Sequence, residues 1–181
     1  MYALTDAEQV KMLRRLMLYW DGQWFLKAVE TFGLEAAIDL NARVRTSFGR
    51  IEMRLLLKAL NKDQADGLAD AMDLLSTYAD TFMGSGIRAE FTSLDTDQAE
   101  VTVRRCAAYE GAKLAGLPRT DQACVACETL WTAWLDTLLP GTLARVQYPE
   151  RQGKGDAVCH FVIQIDTGQE GYGSRTESMT A

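Results

Sequence analysis

Four cysteines are the residues of this chain best suited to do chemistry. Cys106, Cys124, Cys127 and Cys159 all lie in the second half of the sequence. Each stands beside a predicted boundary between a loop and a helix or strand, and binding and catalytic groups often gather at such boundaries. The sequence therefore predicts a thiol-based site.

Cys124 is the predicted nucleophile. It follows Thr120 and Asp121, either of which can cap a helix and leave Cys124 in its first turn. Free N–H groups and the helix dipole lower the pKa of a thiol at such a position. A carboxylate would then move protons, and Asp156 and Glu128 are the candidates. Burial of any one of the cysteines in the core is the alternative.

The same thiols suggest a metal as a second hypothesis. Cys127 follows Cys124 at a spacing that places both on one helix face, and Cys106 and Cys159 are predicted to lie at a strand end and a strand start. Three or four thiolates suit zinc or an iron–sulfur cluster. The separations of 18, 3 and 32 residues lack the paired CxxC pattern of a zinc ribbon. The leading hypothesis therefore has no cofactor.

His160 is the only histidine, and it directly follows Cys159 in a predicted strand. Adjacent residues of a strand point to opposite faces of the sheet. If Cys159 and Phe161 face a pocket, His160 faces the other side. The sequence therefore predicts that Phe161, and not His160, lines the site.

A second candidate feature lies in the first predicted helix, where Trp20 and Trp24 flank Asp21-Gly22-Gln23. Glycine and polar residues between tryptophans are poor core design, and such conflicts often mark a pocket wall. The aromatic faces would sandwich a small ring while Asp21 binds its polar groups. Core packing of the two tryptophans, which share one helix face, is the alternative.

The composition limits the class of protein. The chain has 181 residues, 48% of them hydrophobic, which is enough for one core without disulfides or metals. Its net charge of -6 argues against a nucleic-acid or anionic-membrane partner, and no stretch is apolar for long enough to span a membrane. We expect a cytoplasmic protein with reduced thiols and a small-molecule ligand, and the oligomeric state stays open.

The first half is predicted to be helical, because residues 1–117 contain no proline. Thr5 and Glu8 form a capping box, and Gly33 is the predicted end of the helix that starts there. A second helix is predicted over 34–61, and Asp63 is a predicted cap for a third helix. The first helix carries an apolar stripe of Val10, Leu13, Leu16, Met17 and Trp20. The second is predicted to turn Ile38, Val44, Phe48, Ile51, Leu55, Leu56 and Leu60 toward the core.

After residue 86 the apolar period changes from near four to two, which predicts strands. One hairpin is predicted from 87–91 and 101–103, and another from 143–148 and 158–165, with helices over 107–116 and 121–139 between them. The predicted fold class is α+β, with N-terminal helices packed on a small antiparallel sheet made of two hairpins. Residues 1–165 would form one domain, helical over 1–86 and strand-rich over 87–165, and 166–181 a disordered tail.

These features resemble a known family. Cys106 after a strand, Cys124 after a short helix and loop, and the final motif Gly155-Asp156-x-x-Cys159-x-Phe161 look like the L-2-amino-thiazoline-4-carboxylic acid hydrolase family. The final motif also resembles the 4-vinyl reductase domain of small-molecule sensors. The helical half, around 18–25, looks like a related uncharacterised bacterial family. The chain has Cys127 where the hydrolase pattern Cys-x-x-Asp has its acid.

The resemblance implies hydrolysis of a C–N bond in a small cyclic amidine-like ring. Cys124 would attack the electrophilic carbon, Asp156 would orient water or substrate, and Cys106 and Cys159 would line the site. Two alternatives stay open. One is a small-molecule-binding protein with a structural metal held by thiolates, and the other is metal-dependent catalysis at a three-cysteine site.

Overall fold

The first helix begins and ends where capping chemistry predicts, and the second ends two residues before the predicted residue 61. The computed structural model describes residues 3–166. At the start of helix α1 (Asp6–Phe32), the Thr5 hydroxyl accepts the Glu8 N–H at 3.3 Å and the Glu8 carboxylate accepts the Thr5 N–H at 2.8 Å, which confirms the capping box. Gly33, with a φ of 83°, then separates α1 from helix α2 (Leu34–Ala59).

The third helix starts later than predicted. Asp63 does not cap it, because helix α3 (Leu68–Tyr78) begins after Gly67, whose φ of 147° favours glycine. The connection before α3 is held against the next layer by the Ala65 N–H, which donates to the Leu138 carbonyl at 2.8 Å. A π-helical turn over 79–83 and a 3₁₀ turn over 84–86 lead from α3 into the sheet.

The two predicted hairpins form one antiparallel sheet, which confirms the α+β fold. Strands β1 (Ile87–Ser93) and β2 (Gln98–Cys106) make the first hairpin, and β3 (Leu143–Glu150) and β4 (Cys159–Asp166) make the second. The strand order β1-β2-β4-β3 joins the hairpins through β2 and β4. Residue 166, assigned to the predicted tail, therefore ends β4, and residues 167–181 of that tail lie outside the described residues.

Three helices connect the hairpins, namely α4 (Ala107–Leu114), α5 (Thr120–Ala123) and α6 (Val125–Leu138). Helix α6 packs between the sheet and α2. A Cβ added to Gly49 of α2 would lie 2.8 Å from Cδ1 of Leu130, so the absence of a side chain lets the two helices approach closely. Within residues 3–166, no helix combines the length and the apolar character needed to cross a membrane.

A buried carboxylate joins three helices. Glu52 of α2 accepts the O–H of Tyr78 at 2.6 Å and the indole N–H of Trp134 at 2.8 Å. Tyr78 ends α3 and Trp134 lies in α6, and the two donors offset the cost of removing the carboxylate from water. Burial, followed by the charge of Glu52, raises the pKa of Tyr78, so its hydroxyl stays protonated and keeps donating.

The face of α2 that enters the core differs from the prediction. Four side chains predicted to face inward are exposed: Val44, Ile51, Leu55 and Leu60. Met53 and Leu57 are buried instead, on the face that contains Gly49. Because α2 carries apolar residues on more than one side, its periodicity alone does not select the face that packs against α6.

Substitutions in α2 test this assignment. Met53 is fully buried, whereas Leu55 is 61% exposed. We expect Met53→Ala to lower the free energy of unfolding by about 2–5 kcal/mol, because it leaves a cavity. The control Leu55→Ala should change it by less than about 0.5 kcal/mol. Urea denaturation of both variants checks this, and a larger loss for Leu55→Ala would contradict the packing described.

Candidate functional site

The pairing of β2 with β4 brings distant cysteines to one end of the sheet. Val103 lies opposite Cys159, so Cys106 at the end of β2 and Cys159 at the start of β4 share this end. A negative charge on Cys106 or on Cys159 would raise the pKa of Cys124. A charge on any of these three thiols would raise the pKa of Cys127. The four thiols are therefore within electrostatic range of one another, and we call them the thiol cluster.

Cys124 is not in the first turn of a helix, which corrects the prediction. Helix α5 ends one residue before Cys124 and α6 begins one residue after it, so the predicted single helix over 121–139 is broken here. The Cys124 N–H donates to the Thr120 carbonyl at 3.3 Å, and the Cys127 N–H donates to the Cys124 carbonyl at 3.0 Å. Cys124 is also the N-cap residue of α6, so it lies at the N-terminal end of this 14-residue helix, one position before the first turn.

Cys106 also lies at the start of a helix. It is the N-cap residue of α4, and the backbone N–H groups of Ala108 and Tyr109 favour its thiolate, as does the positive charge of Arg45. Burial outweighs these effects, so the pKa of Cys106 is still raised.

Burial keeps the whole cluster protonated. It is the largest influence on each thiol and raises the pKa of Cys124 to about 11. The pKa values of Cys106, Cys127 and Cys159 are raised for the same reason. At neutral pH the cluster is therefore uncharged, whereas a cysteine nucleophile acts as the thiolate.

A turn after β3 covers the cluster. The Gln152 N–H donates to Sγ of Cys159 at 3.3 Å, and the Thr120 hydroxyl donates to the Gly153 carbonyl at 3.1 Å. A Cβ on Gly153 would lie 2.8 Å from Sγ of Cys124. Glycine is thus required where the turn packs on the thiol.

Arg151 places a positive charge beside the thiols. Its guanidinium pairs with Glu128 and lies over the Tyr148 ring, with Cζ 4.5 Å from the ring centre. The side chain is only 17% exposed. Its charge lowers the pKa of both Cys124 and Cys159, although burial of these thiols has the larger effect.

Two buried polar atoms at the start of the turn after β3 have no hydrogen-bond partner among residues 3–166. They are the donor Nε of Arg151 and the acceptor Oε1 of Gln152. Nε2 of Gln152 donates to the carbonyls of Arg104 and Ala157, each at 3.3 Å, which fixes the orientation of the amide. An unpaired buried polar atom costs about 1–3 kcal/mol. A group that accepts from Arg151 and donates to Gln152 would remove this cost.

Aromatic side chains adjoin the cluster on the core side of the sheet. The ring centre of Phe161 is 5.2 Å from those of both Trp131 and Tyr148. Trp131 hydrogen-bonds with Cys127, which partly opposes the effect of burial on the pKa of this thiol. The cluster therefore adjoins both aromatic rings and the charge of Arg151, which lies over the Tyr148 ring.

The predicted orientation of β4 is confirmed. Phe161 is buried in the core and Cys159 packs against it from the same face of the strand. His160 lies on the opposite face, where Nε2 is 3.5 Å from the Glu100 carboxylate. His160 and Cys159 thus form no pair.

The two candidate carboxylates, Asp156 and Glu128, both bind Arg151. Oδ2 of Asp156 accepts the Arg151 backbone N–H at 2.8 Å, and Glu128 pairs with the Arg151 guanidinium. Asp156 also raises the pKa of Cys159. The carboxylate whose charge acts on Cys124 is Asp121, which raises the pKa of that thiol and so does not activate it.

The geometry does not support the metal hypothesis. Residues 3–166 contain no group of three or more Cys, His, Asp or Glu side chains placed to hold a metal ion. Zinc or an iron–sulfur cluster on Cys106, Cys124, Cys127 and Cys159 is therefore disfavoured.

The tryptophan segment of α1 does not form a wall opposite the thiols. Trp20 is 71% exposed and lies in an apolar groove on the outer side of α1, and Trp24 is half-buried. Asp21 pairs with Arg45 of α2. Since the charge of Arg45 favours the Cys106 thiolate, Asp21 is linked to the thiol cluster only through this arginine.

A second surface depression is also remote from the thiols. It lies at the opposite end of the sheet and is lined by Asp97, Gln98, Arg145, Gln164, Ile165 and Asp166. The thiol cluster itself is covered by the turn over 152–154. Entry of a molecule from this side therefore requires the turn to move.

The sequence did not predict Arg151 and Gln152 as site residues. They lie in the polar connection between β3 and β4, where no periodic pattern marks them. The length of this connection is the signal that could have found them. A hairpin needs only two to five loop residues, and longer loops often carry function.

Gly153 offers a test of the contact between the turn and Cys124. Gly153→Ala should lower the free energy of unfolding by about 1–3 kcal/mol, because the new methyl group overpacks the site. The control is Gly111→Ala, where nothing lies within 4 Å of the added Cβ and the helix should gain stability. Thermal unfolding measures both, and equal effects would contradict the close packing.

Alkaline pH tests the burial of Cys124. The folded chain holds this thiol protonated up to about pH 11, whereas the unfolded chain releases the proton near 9.0. Its contribution to stability is therefore intact below pH 9 and is lost as the pH rises toward 11. In urea titrations across this range, Cys124→Ala should lose stability less steeply than the natural chain. Equal slopes would contradict a raised pKa.

No protein-family model and no curated protein matches this chain. Solved structures share its fold. The phenol-responsive sensory domain of the transcription activator PoxR, crystallised with phenol, is 16% identical with a TM-score of 0.53, over 79% of this chain and 71% of that one.

The second structure is subunit 3 of a trafficking protein particle complex from Naegleria fowleri, covalently bound to palmitic acid. It is 11% identical with a TM-score of 0.63, and the match covers 86% of this chain and 96% of that chain. At these identities the comparisons establish the fold, which recurs in a phenol-bound domain and a palmitate-bound subunit.

Proposed function

We propose that this chain is a small-molecule-binding domain, and that its ligand lies against the thiol cluster between Phe161, Tyr148 and the turn that begins at Arg151. The observation that carries the proposal is the buried pair of unpartnered atoms, Nε of Arg151 and Oε1 of Gln152. Binding sites combine apolar walls with a few polar groups that fix the orientation of the ligand. This arrangement has both parts.

The chemistry of the pair selects the ligand class. A hydroxyl group accepts one hydrogen bond and donates another, so its chemistry matches both the Arg151 donor and the Gln152 acceptor. The rings of Tyr148 and Phe161 favour an aromatic or other apolar body. A small phenol-like molecule fits both requirements, and the shared fold of the phenol-bound sensory domain supports the same class.

Hydrolysis of an amino-thiazoline ring, which the sequence resemblance implies, stays a prediction with less support. The pKa of Cys124 is raised to about 11, so the thiolate is scarce at neutral pH. Asp156 holds the Arg151 backbone, and its charge acts on Cys159. Binding needs neither an ionised thiol nor a free carboxylate.

A titration of the chain with phenol, measured by isothermal titration calorimetry, tests the proposal. We expect saturable binding that Arg151→Lys weakens about 10–100-fold, because lysine keeps the charge but lacks Nε, and a hydrogen bond to a charged group contributes about 1.5–3 kcal/mol. Gln152→Met should also weaken it. The matched control is Arg145→Lys at an exposed position of β3, the strand that precedes Arg151, and this variant should bind phenol as the natural chain does.

Two further ligands separate the alternatives. Palmitic acid bound in place of phenol, with no effect of Arg151→Lys, would contradict a hydroxyl-selective site. Ring opening of amino-thiazoline carboxylate that disappears in Cys124→Ala, detected by chromatography, would establish the hydrolase in place of the binding protein. Unchanged phenol binding in Arg151→Lys and Gln152→Met would place the ligand elsewhere.

A further inference from the structure

Helix α1 meets the rest of the chain along one narrow stripe. Nε of Arg14 donates to the Thr81 carbonyl at 2.7 Å, Leu18 packs at Gly86, and Asp21 pairs with Arg45. Arg14, Leu18 and Asp21 alternate at spacings of four and three, so they share one side of the helix. The apolar stripe of α1 lies on a different side.

These residues form what we call the outer stripe of α1: Val10, Leu13, Leu16, Met17 and Trp20. All five are exposed, among them Trp20 at 71%, Leu13 at 59% and Leu16 at 54%. The series Val10, Leu13, Met17, Trp20 and Trp24 has the alternating three- and four-residue spacing of a coiled-coil seam. The stripe exposes on the order of 600 Å² of apolar surface, at the upper limit for a monomer.

The central part of the outer stripe is symmetric about the midpoint between Leu16 and Met17, whereas Val10 comes opposite Gln23. Reversing the helix about this point places Leu13 opposite Trp20 and Leu16 opposite Met17. The charged ends also match, because Asp6 comes opposite Lys27, whose ammonium pairs with Glu30 at 2.6 Å within its own helix. Both Asp6 and Lys27 lie on the same side of the helix as the stripe, at positions given by 100° per residue. The central residues of the stripe and its charged ends therefore match those of an antiparallel copy of α1.

We infer that the outer stripe binds the same stripe of a second copy of this chain, so that two α1 helices pack antiparallel across a twofold axis between Leu16 and Met17. Such an interface is isologous, and each Asp6–Lys27 pair occurs twice. About 600 Å² of apolar surface plus the flanking polar residues approaches the roughly 800 Å² per partner of a stable interface. The inference does not depend on the proposed ligand site.

Light scattering coupled to gel filtration, over a dilution series of the full chain, tests the inference. The natural chain should have twice the mass of 20.1 kDa. Leu16→Glu should be monomeric, because it places two carboxylates at the axis of the dimer. The matched control is Leu114→Glu in α4, which is 91% exposed and should leave the dimer intact. Circular dichroism confirms that both variants fold, as expected for exposed positions.

A charge exchange tests the antiparallel geometry. Asp6→Lys and Lys27→Asp should each weaken the dimer at low salt, and the double variant should restore it, because each reversed charge again meets its opposite. A monomeric natural chain at every concentration, or a dimer that Leu16→Glu leaves intact, would overturn the inference. If Leu16→Glu abolishes the dimer but the double variant Asp6→Lys, Lys27→Asp dimerises no better than its two single variants, the antiparallel packing would be overturned.

Discussion

The antiparallel pairing of β2 with β4 is the contact on which the candidate site depends. It joins two hairpins that are separated in sequence by α4, α5 and α6, and its register sets Val103 opposite Cys159. A shift of one residue would turn Cys159 and Phe161 to the solvent face, because side chains alternate along a strand. With the observed register, both face the helices, and the three connecting helices bring Cys124 and Cys127 to the same end of the sheet.

The electrostatics of the thiol cluster follow from this enclosure. Burial favours the neutral thiols, and the cation that accompanies them is Arg151, held by Glu128 and the Tyr148 ring. A buried guanidinium is stable only with such partners. The result is a site with aromatic rings, neutral thiols and two buried polar atoms without a hydrogen-bond partner among residues 3–166. These properties suit recognition of an uncharged molecule better than nucleophilic attack.

Helices α1 and α2 show why apolar residues do not identify the core by themselves. The core side of α2 is selected by Gly49, which allows close approach to α6, and by Glu52, which Tyr78 and Trp134 bind. Leu55 is apolar yet exposed because it lies off this face. In α1 the exposed apolar residues form a continuous, symmetric stripe, so the same periodicity that predicts a core contact is available for contact with a second chain.

The sequence alone determined the features that depend on neighbouring residues. The capping box at Thr5, the helix end at Gly33, both hairpins, the α+β class and the opposite orientations of Cys159 and His160 follow from spacings of a few residues. Only the tertiary structure decided which face of α2 is buried, that a break between α5 and α6 makes Cys124 the N-cap residue of α6, and that Arg151 and Gln152 adjoin the thiols. These depend on contacts between residues far apart in the chain, and burial, which raises the pKa values of the thiols, exists only once those contacts have formed.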